Sequence, residues 1–424
     1  MPAPVRFPRL EDWLEWQQSV HPRAIDLGLE RVARVLGRTG WRRPVQPVIT
    51  VGGTNGKGSC MALLEAMLRA GGYSVGSFTS PHLVDYRERI RLDGRWVSEA
   101  SLLAAFERIA DACAGDTLTF FEFNALAALL VFETRAPDVI LLEVGMGGRL
   151  DAVNVVDADV AIVVSVGLDH TEFLGPDVSA IAREKAGIFR RGRPAICGMA
   201  APPVALVEVA AAVGAPLRLR GRDFESREHA DGHWDFADSR GRLERLPPPA
   251  LGGVAQVGNA ATALAALREL MPRLPLERTA VERGLRDVRL PGRFQRVPGR
   301  GGVEWVFDVA HNPDAAVQLA ASLARWPVPG RTFAVCGMLA DKDVAGVLAP
   351  LHGCVDAWFA ASTGGARGLA DDALVARAAA SGVAMTAAGS VVEAMEQAAA
   401  TAVAGDRIVV FGSFMTVGPA LSCV

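Results

Sequence analysis

The chain has little of what marks several protein classes. Its six cysteines, at 60, 113, 197, 336, 354 and 423, form no CxxC pair. Such scatter argues against a zinc site or a disulfide framework and for a reducing cytoplasm. No uncharged apolar run reaches about 18 residues, so no membrane span is expected. Met1 to Trp16 mixes charges with apolar side chains and lacks the continuous apolar core of a signal peptide. The formal net charge is only −3, so neither nucleic acid nor an anionic membrane surface is an expected partner. The C-terminal third has strand–helix alternation but no GxGxxG, which argues against a dinucleotide enzyme. No internal repeat or low-complexity segment stands out.

What is present is a large hydrophobic content, 50% of 424 residues, enough for two or three domains. The chain is organised around Pro47-Val48-Ile49-Thr50-Val51-Gly52-Gly53-Thr54-Asn55-Gly56-Lys57-Gly58-Ser59. It reads as a buried strand, a glycine-rich turn and a helix from Cys60 to Ala70. Glycines let successive N–H groups converge, and the helix N-terminus adds partial positive charge there. Lys57 supplies a full charge, and the Ser59 hydroxyl suits Mg²⁺. The set fits a triphosphate. It departs from the generic P-loop, because Gly58 separates Lys57 from the hydroxyl and Val51 falls where the first glycine belongs. A plain glycine-rich βα turn is the simpler alternative.

Strand, turn and helix alternate along the first half, which predicts a mostly parallel, doubly wound α/β sheet. Trp13 to Gly37 reads as a helix interrupted at His21-Pro22. Ser74 to Phe78, Arg87 to Leu92, Asp138 to Val144 and Val160 to Val166 read as strands. Glu99 to Ala112, Thr117 to Phe132 and Val178 to Phe189 read as helices. Residues 217–247 form a small β excursion. Arg286 to Gly302, with two prolines and four glycines, reads as a connection. The domains are therefore expected over 1–290 and 303–424, with a 291–302 linker, the second being a smaller Rossmann-like α/β domain. Its strands include Val303 to Val309, Thr332 to Cys336 and Arg407 to Phe411.

Lys57, Ser59, Ser80, Glu143 and His170 all fall at or after strand ends, which share one edge in a doubly wound sheet. Ser59, Ser80 and Glu143 offer hard oxygens for Mg²⁺, and a second metal accepts His170. Glu143 on an apolar strand is costly unless a metal or lysine partners it. Ser80 serves equally as a turn residue before Pro81, and His170 as part of a capping pair with Asp169. Asp26 reads as a surface residue, and Lys185 as a solvated cation that physics alone does not single out.

These motifs together resemble the folylpolyglutamate synthase family, most closely its bifunctional bacterial members, within the wider Mur ligase pattern. The resemblance rests on Ile25-Asp26-Leu27-Gly28-Leu29, Gly53 to Ser59, Ser80-Pro81-His82-Leu83, Leu118 to Phe123 and Glu143 to Asp151. Leu168-Asp169-His170, Arg183 to Phe189, Leu290 to Phe294, Asp308 to Pro313 and Gly412-Ser413-Phe414 complete it. The motifs keep family order over nearly the whole chain, and Gly58 is itself a family mark.

The resemblance implies an ATP-dependent ligase adding L-glutamate to dihydropteroate and to tetrahydrofolates through an acyl phosphate. It implies ATP binding by Asn55, Gly56, Lys57, Gly58, Ser59, Asn259, Arg293, Asp308 and His311. One Mg²⁺ falls to Ser59, Ser80 and Glu143, and a second to Glu143, His170 and a carbamylated Lys185. Lys57, His170 and Lys185 are the implied catalytic residues. Asp26, Leu27, Gly28, Leu29, Thr119, Phe120, Phe121, Glu122, Leu150, Asp151 and Ala152 match the pteroate-binding segments. His311 and Ser413 are weaker candidates for glutamate contact. A monofunctional folylpolyglutamate synthase, a Mur-type UDP-peptide ligase and a nucleotide-gated switch are the alternatives. A cytoplasmic monomer is expected.

Overall fold

The computed structural model describes residues 5–365 and 367–423. The chain divides into two compact units. The first takes the chain up to His82, then Tyr86–Pro248 and Gly258–Val288. The second takes Leu83–Asp85, Pro249–Val257 and the chain from Arg289 onward.

The first unit is built on an eight-stranded sheet. Its strands are β1 (Val48–Gly52), β2 (Val75–Phe78), β3 (Ile90–Leu92), β4 (Arg95–Trp96), β5 (Val139–Glu143), β6 (Val160–Val163), β7 (Ala195–Cys197) and β8 (Leu217–Leu219). Their order is β4-β3-β2-β5-β1-β6-β7-β8. β2, β5, β1, β6, β7 and β8 run parallel, and the β3–β4 hairpin is antiparallel on one edge. β1, β2, β5 and β6 are buried throughout, as strands covered on both faces must be. The covering helices are α1 (Leu10–Ser19), α2 (Glu30–Arg38), α3 (Lys57–Ala70), α4 (Glu99–Cys113), α5 (Phe120–Arg135), α6 (Thr171–Leu174), α7 (Val178–Ala186), α8 (Val204–Val213), α9 (Gln256–Leu270) and α10 (Arg278–Asp287). Trp13, Phe106 and Phe123 pack at centroid distances of 5.5–6.4 Å in the core between α1, α4 and α5. A separate antiparallel sheet, β9 (Phe224–Glu228), β10 (Trp234–Asp238) and β11 (Gly241–Leu246), accounts for most of the β excursion.

The second unit holds a six-stranded sheet of order β12-β13-β17-β14-β15-β16. The strands are β12 (Gln295–Pro298), β13 (Glu304–Asp308), β14 (Thr332–Cys336), β15 (Ala357–Ser362), β16 (Thr386–Ser390) and β17 (Arg407–Phe411). All are parallel except the edge strand β12. Helices α11 (Pro313–Arg325), α12 (Val344–Leu348), α13 (Asp371–Ala379), α14 (Val391–Thr401) and α15 (Phe414–Leu421) pack around it.

Five local expectations need correction. Trp13 to Gly37 is not one interrupted helix. α1 stops at Ser19, α2 restarts at Glu30, and residues between them, Asp26–Leu29 included, are non-helical. Pro22 lacks an N–H and disfavours helix in the residue before it. Arg87–Arg89 is not strand: Tyr86–Arg89 is a 3₁₀ turn, and the ladder with β2 begins at Ile90, opposite Phe78. Segment 291–302 is not bare linker, since β12 lies in it and Pro298 sits on the sheet edge where its missing N–H costs no ladder bond. The strand from Val160 and the helix from Val178 end earlier than expected, at Val163 and Ala186.

Candidate active site

β1 delivers the chain into the glycine turn and α3 takes it away, starting at Lys57 rather than at Cys60. Gly56 caps α3 with φ +85°, a left-handed conformation that glycine adopts freely. A Cβ there would also lie 2.8 Å from Val164 Cγ1 and 2.9 Å from Asn259 Oδ1. Asn259 on α9 is thus brought against the turn. The loop after β6 pins the turn from the other side. Thr54 N–H donates to Ser165 O (2.9 Å), and Asn55 N–H donates to Ser165 Oγ (2.9 Å). Lys57 Nζ donates to Gly53 O (2.9 Å) and Thr54 O (3.3 Å), so the ammonium stays over the turn. Ser59 is buried in the first turn of α3.

The neighbouring parallel strands bring further groups to the same edge. Glu143 ends β5 and is 3% exposed; its Oε2 accepts from Ser80 N–H just beyond β2 (3.2 Å). The glycine loop after Glu143 packs tightly. A Cβ on Gly145 would lie 2.6 Å from the Phe121 ring, and one on Gly148 would lie 2.9 Å from Glu184 O and Lys185 O. The loop therefore seats directly on the last turn of α7, and Lys185 is buried there. Burial pushes the Lys185 ammonium down to about 7, aided by the charge of Lys57 and opposed by Asp169 and Asp151. Asp151 caps a 3₁₀ turn at Ala152–Val155 and accepts from Val153 N–H (3.1 Å) and Met146 N–H (2.9 Å). Burial pushes its carboxyl up to about 7. His170 follows the loop beyond β6 with φ +51°, and Asp169 Oδ1 accepts its N–H (2.9 Å). The expected capping pair does not form: α6 starts after His170 with no side-chain cap hydrogen bond, and Asp169 bonds the neighbouring N–H instead.

The pteroate-type segments also meet. Thr119 caps α5 in a capping box with Glu122. Arg31 joins Glu122 (Nη2–Oε1, 2.7 Å) to Asp26 (Nη1–Oδ2, 2.7 Å). His21 Nε2 also lies 3.2 Å from Asp26 Oδ2. Asp26 is therefore a tied, half-buried group and not a free surface carboxylate. The Arg31 guanidinium beside it holds its carboxyl below the usual range. Arg31 and His21 belong to this cluster, yet nothing at sequence level selected them.

In the second unit, Asp308 ends β13 and accepts from Phe294 N–H and Ala310 N–H, each at 2.8 Å. Burial pushes its carboxyl up, opposed by nearby Arg293. The Arg293 guanidinium lies 5.2 Å over the Phe414 ring, which is 6.3 Å from the His311 ring. His311 Nδ1 lies 2.8 Å from Val309 O; a carbonyl only accepts, so Nδ1 is the donor. Arg293, Asp308 and His311 thus gather at the carboxyl ends of β13 and β17. Ser413 is committed to capping α15, its Oγ accepting from Thr416 N–H (3.1 Å).

No group of three or more His, Cys, Asp or Glu side chains within metal-binding reach occurs among the described residues. The expected donor set does not demand one: it is mainly hydroxyl and carboxylate oxygen. Buried Ser59 and Glu143 are hard donors at the phosphate turn, which fits Mg²⁺ completed by substrate phosphate.

Residues 51–200 match the Mur ligase middle domain, and residues 292–414 match the Mur ligase glutamate ligase domain. Two parallel-sheet units with a lysine-bearing glycine turn and these two matches define the class as Mur-type ligases. A dihydrofolate synthase/folylpolyglutamate synthase of Escherichia coli (strain K12) is 45% identical over 415 residues, covering 98% of this chain and 95% of its own. The chain belongs to the dihydrofolate synthase/folylpolyglutamate synthase family. The solved structure of E. coli FolC in complex with DHPP and ADP is 44% identical with a TM-score of 0.92, covering 100% of this chain and 98% of that one. A bifunctional folylpolyglutamate synthase/dihydrofolate synthase with Mn, AMPPNP and L-glutamate bound is 40% identical with a TM-score of 0.90, over 100% and 98%.

Proposed function

We propose that the chain is an ATP-dependent carbon–nitrogen ligase that adds L-glutamate to dihydropteroate, giving dihydrofolate, and to tetrahydrofolates, lengthening their glutamate tails. The observation that carries this reading is the joint one. Lys57, Ser59, Ser80 and Glu143 lie at or just beyond the carboxyl ends of neighbouring parallel strands, with Lys185 buried against the loop after Glu143, in a chain 45% identical to a dihydrofolate synthase/folylpolyglutamate synthase along nearly its whole length.

In the first step an oxygen of the acceptor carboxylate bonds to the γ-phosphorus of ATP. The bond from that phosphorus to the β–γ bridging oxygen breaks, and ADP leaves. The neutral α-amine of glutamate then adds to the acyl carbon, the bond to the phosphate oxygen breaks, and the nitrogen loses a proton as the amide forms. The first step brings anion to anion. Lys57 and the N–H groups of Gly56 to Ser59 hold the phosphates against that repulsion. Asn55, Asn259, Arg293, Asp308 and His311 serve nucleotide binding. Ser59, Ser80 and Glu143 hold one Mg²⁺, and Glu143, His170 and Lys185 a second. Bound there, the ions neutralise charge on the transferring phosphoryl group. Asp26–Leu29, Thr119–Glu122 and Leu150–Ala152 hold the pteroate portion, and His311 and Ser413 contact glutamate.

Lys185 works as a carbamate. Its lowered basicity supports this, because a neutral amine is available near pH 7 to attack CO₂. The N–C bond forms, one proton leaves, and a buried cation becomes an anion suited to a metal. The peptide carrying Lys185 is expected to gain the mass of CO₂ after trapping under bicarbonate; an unmodified lysine at saturating CO₂ contradicts this. The chain acts as a monomer in the cytoplasm, a compartment supported by six cysteines that are all free.

The acyl-phosphate route is tested with acceptor labelled by ¹⁸O in its carboxylate. Released phosphate is expected to carry one label per turnover; unlabelled phosphate overturns the route.

A further inference from the structure

Arg89 differs from buried Arg407 and from half-buried Arg31 and Arg91. Arg31, Arg91 and Arg407 each hold a carboxylate at 2.7–2.8 Å. Arg89 is 8% exposed, yet among the described residues it forms no ion pair within 4.0 Å. Its Nε donates to His82 Nδ1 (2.8 Å), and its guanidinium lies 5.3 Å over the Phe120 ring. Neither terminal nitrogen has a hydrogen-bond partner among the described residues. A buried cation without a paired anion is costly. Nearby Tyr86, Glu143 and Glu88 offset that cost only through space, and burial still pulls the guanidinium below its ordinary basicity.

Its place in the fold supplies the reason. Arg89 closes the 3₁₀ turn before β3, and its carbonyl accepts from Thr79 N–H (2.8 Å). The next residue, Ser80, donates to Glu143. On its other side Phe120 opens α5 within the Thr119–Glu122 segment. Arg89 therefore spans the phosphate-and-metal edge and the pteroate-type segment, both within the first unit. It is held by Nε and by its flat face, which leaves the two terminal N–H groups as a planar fork. That fork matches a carboxylate in bidentate fashion.

We infer that Arg89 is a catalytic residue whose guanidinium grips the acceptor carboxylate and aims one of its oxygens at the γ-phosphorus. This rests on the reaction proposed above. The grip serves both acceptors, because each presents a carboxylate to the same step. One oxygen forms the O–P bond while the other stays on the fork; the guanidinium keeps its proton throughout. Phosphate binding belongs to Lys57 and the glycine turn, so the assignment separates the two anions by residue.

The test uses the full chain, with Arg89→Ala and Arg89→Lys assayed with dihydropteroate and with tetrahydrofolate. For Arg89→Ala, acceptor kcat/KM is expected to fall by about a thousandfold, with ADP affinity within about twofold of wild type. Added methylguanidinium restores part of that loss and methylammonium does not. Arg89→Lys keeps charge and length but not the fork, and is expected to lose about ten- to a hundredfold. Acceptor kcat/KM within about threefold of wild type in a folded variant overturns the inference, as does a defect confined to ATP. If Arg89→Ala gives no cooperative melting transition, Arg89→Lys decides alone. If the wild-type chain glutamylates neither acceptor, the proposed reaction fails and this inference with it. If wild type is active and the variants match it, only the role of Arg89 fails.

Discussion

Asp151 and Lys185 are driven toward the same titration range from opposite sides, each by burial. Their consequences for stability differ in sign. The folded Asp151 carboxyl is raised from 3.8 to about 7. Between those values the folded chain binds the extra proton, so its contribution is fully present below 3.8 and is lost as pH rises through 7. Lys185 is lowered from 10.5 to about 7. Across that window the unfolded chain binds the extra proton, and its contribution to stability grows as pH rises. In urea unfolding of the ligand-free chain at pH 5 and pH 7, the difference between variant and wild type reads Asp151, since Lys185 also begins to titrate by pH 7. Asp151→Asn is expected to remove about 2 kcal/mol of the decline between the two pH values; parallel profiles for variant and wild type contradict the assignment. At the phosphate turn, Lys57→Ala is expected to lower glutamylation by at least about a hundredfold, read as phosphate release. Near-normal release with that variant contradicts the role given to Lys57.

Among elements, those that sit at the centre of a sheet are the most legible. β14 and β17 carry the bounds read from sequence, Thr332–Cys336 and Arg407–Phe411, because every residue in them is buried and the run is continuous. Short or mixed elements are not legible: β7 has only three residues, and α8 is an alanine–valine run with no polar stripe. The strand-end rule finds Lys57, Ser59, Ser80 and Glu143, since each ends or follows a parallel strand. It misses Arg31, whose partner Glu122 lies 91 residues away. It also misses Arg89, which reads as one charge in an alternating run. Two predictions belong here. Arg31→Ala leaves Glu122 buried without its cation, and is expected to cost about 3–5 kcal/mol in urea unfolding; a change below about 1 kcal/mol contradicts the pairing. Gly148→Ala places a methyl group against the last turn of α7. It is expected to displace Lys185 and to reduce trapped carbamate; unchanged trapping shows that the loop does not set the lysine's position.

At the scale of the whole molecule, each unit repeats one device: a parallel sheet whose carboxyl ends carry the polar side chains. In the first unit these are Lys57, Ser80 and Glu143; in the second they are Asp308, His311 and Arg293. The architecture was legible from alternation alone, while the substrate class was not. Strand ends predict an anion and a metal, but nothing in their chemistry names a pterin. That came from motif order over the whole chain, and the matches to both Mur ligase domains agree with it. No helix among the described residues is long and apolar enough to cross a membrane.

The central claim is that one chain glutamylates two acceptors. The most direct measurement incubates it with ATP, Mg²⁺ and L-glutamate, separately with dihydropteroate and with tetrahydrofolate, and identifies products by mass. Addition of one glutamate residue to dihydropteroate, and of one or more to tetrahydrofolate, is the predicted result. A product from tetrahydrofolate alone contradicts the bifunctional reading, and a product from neither contradicts the substrate class.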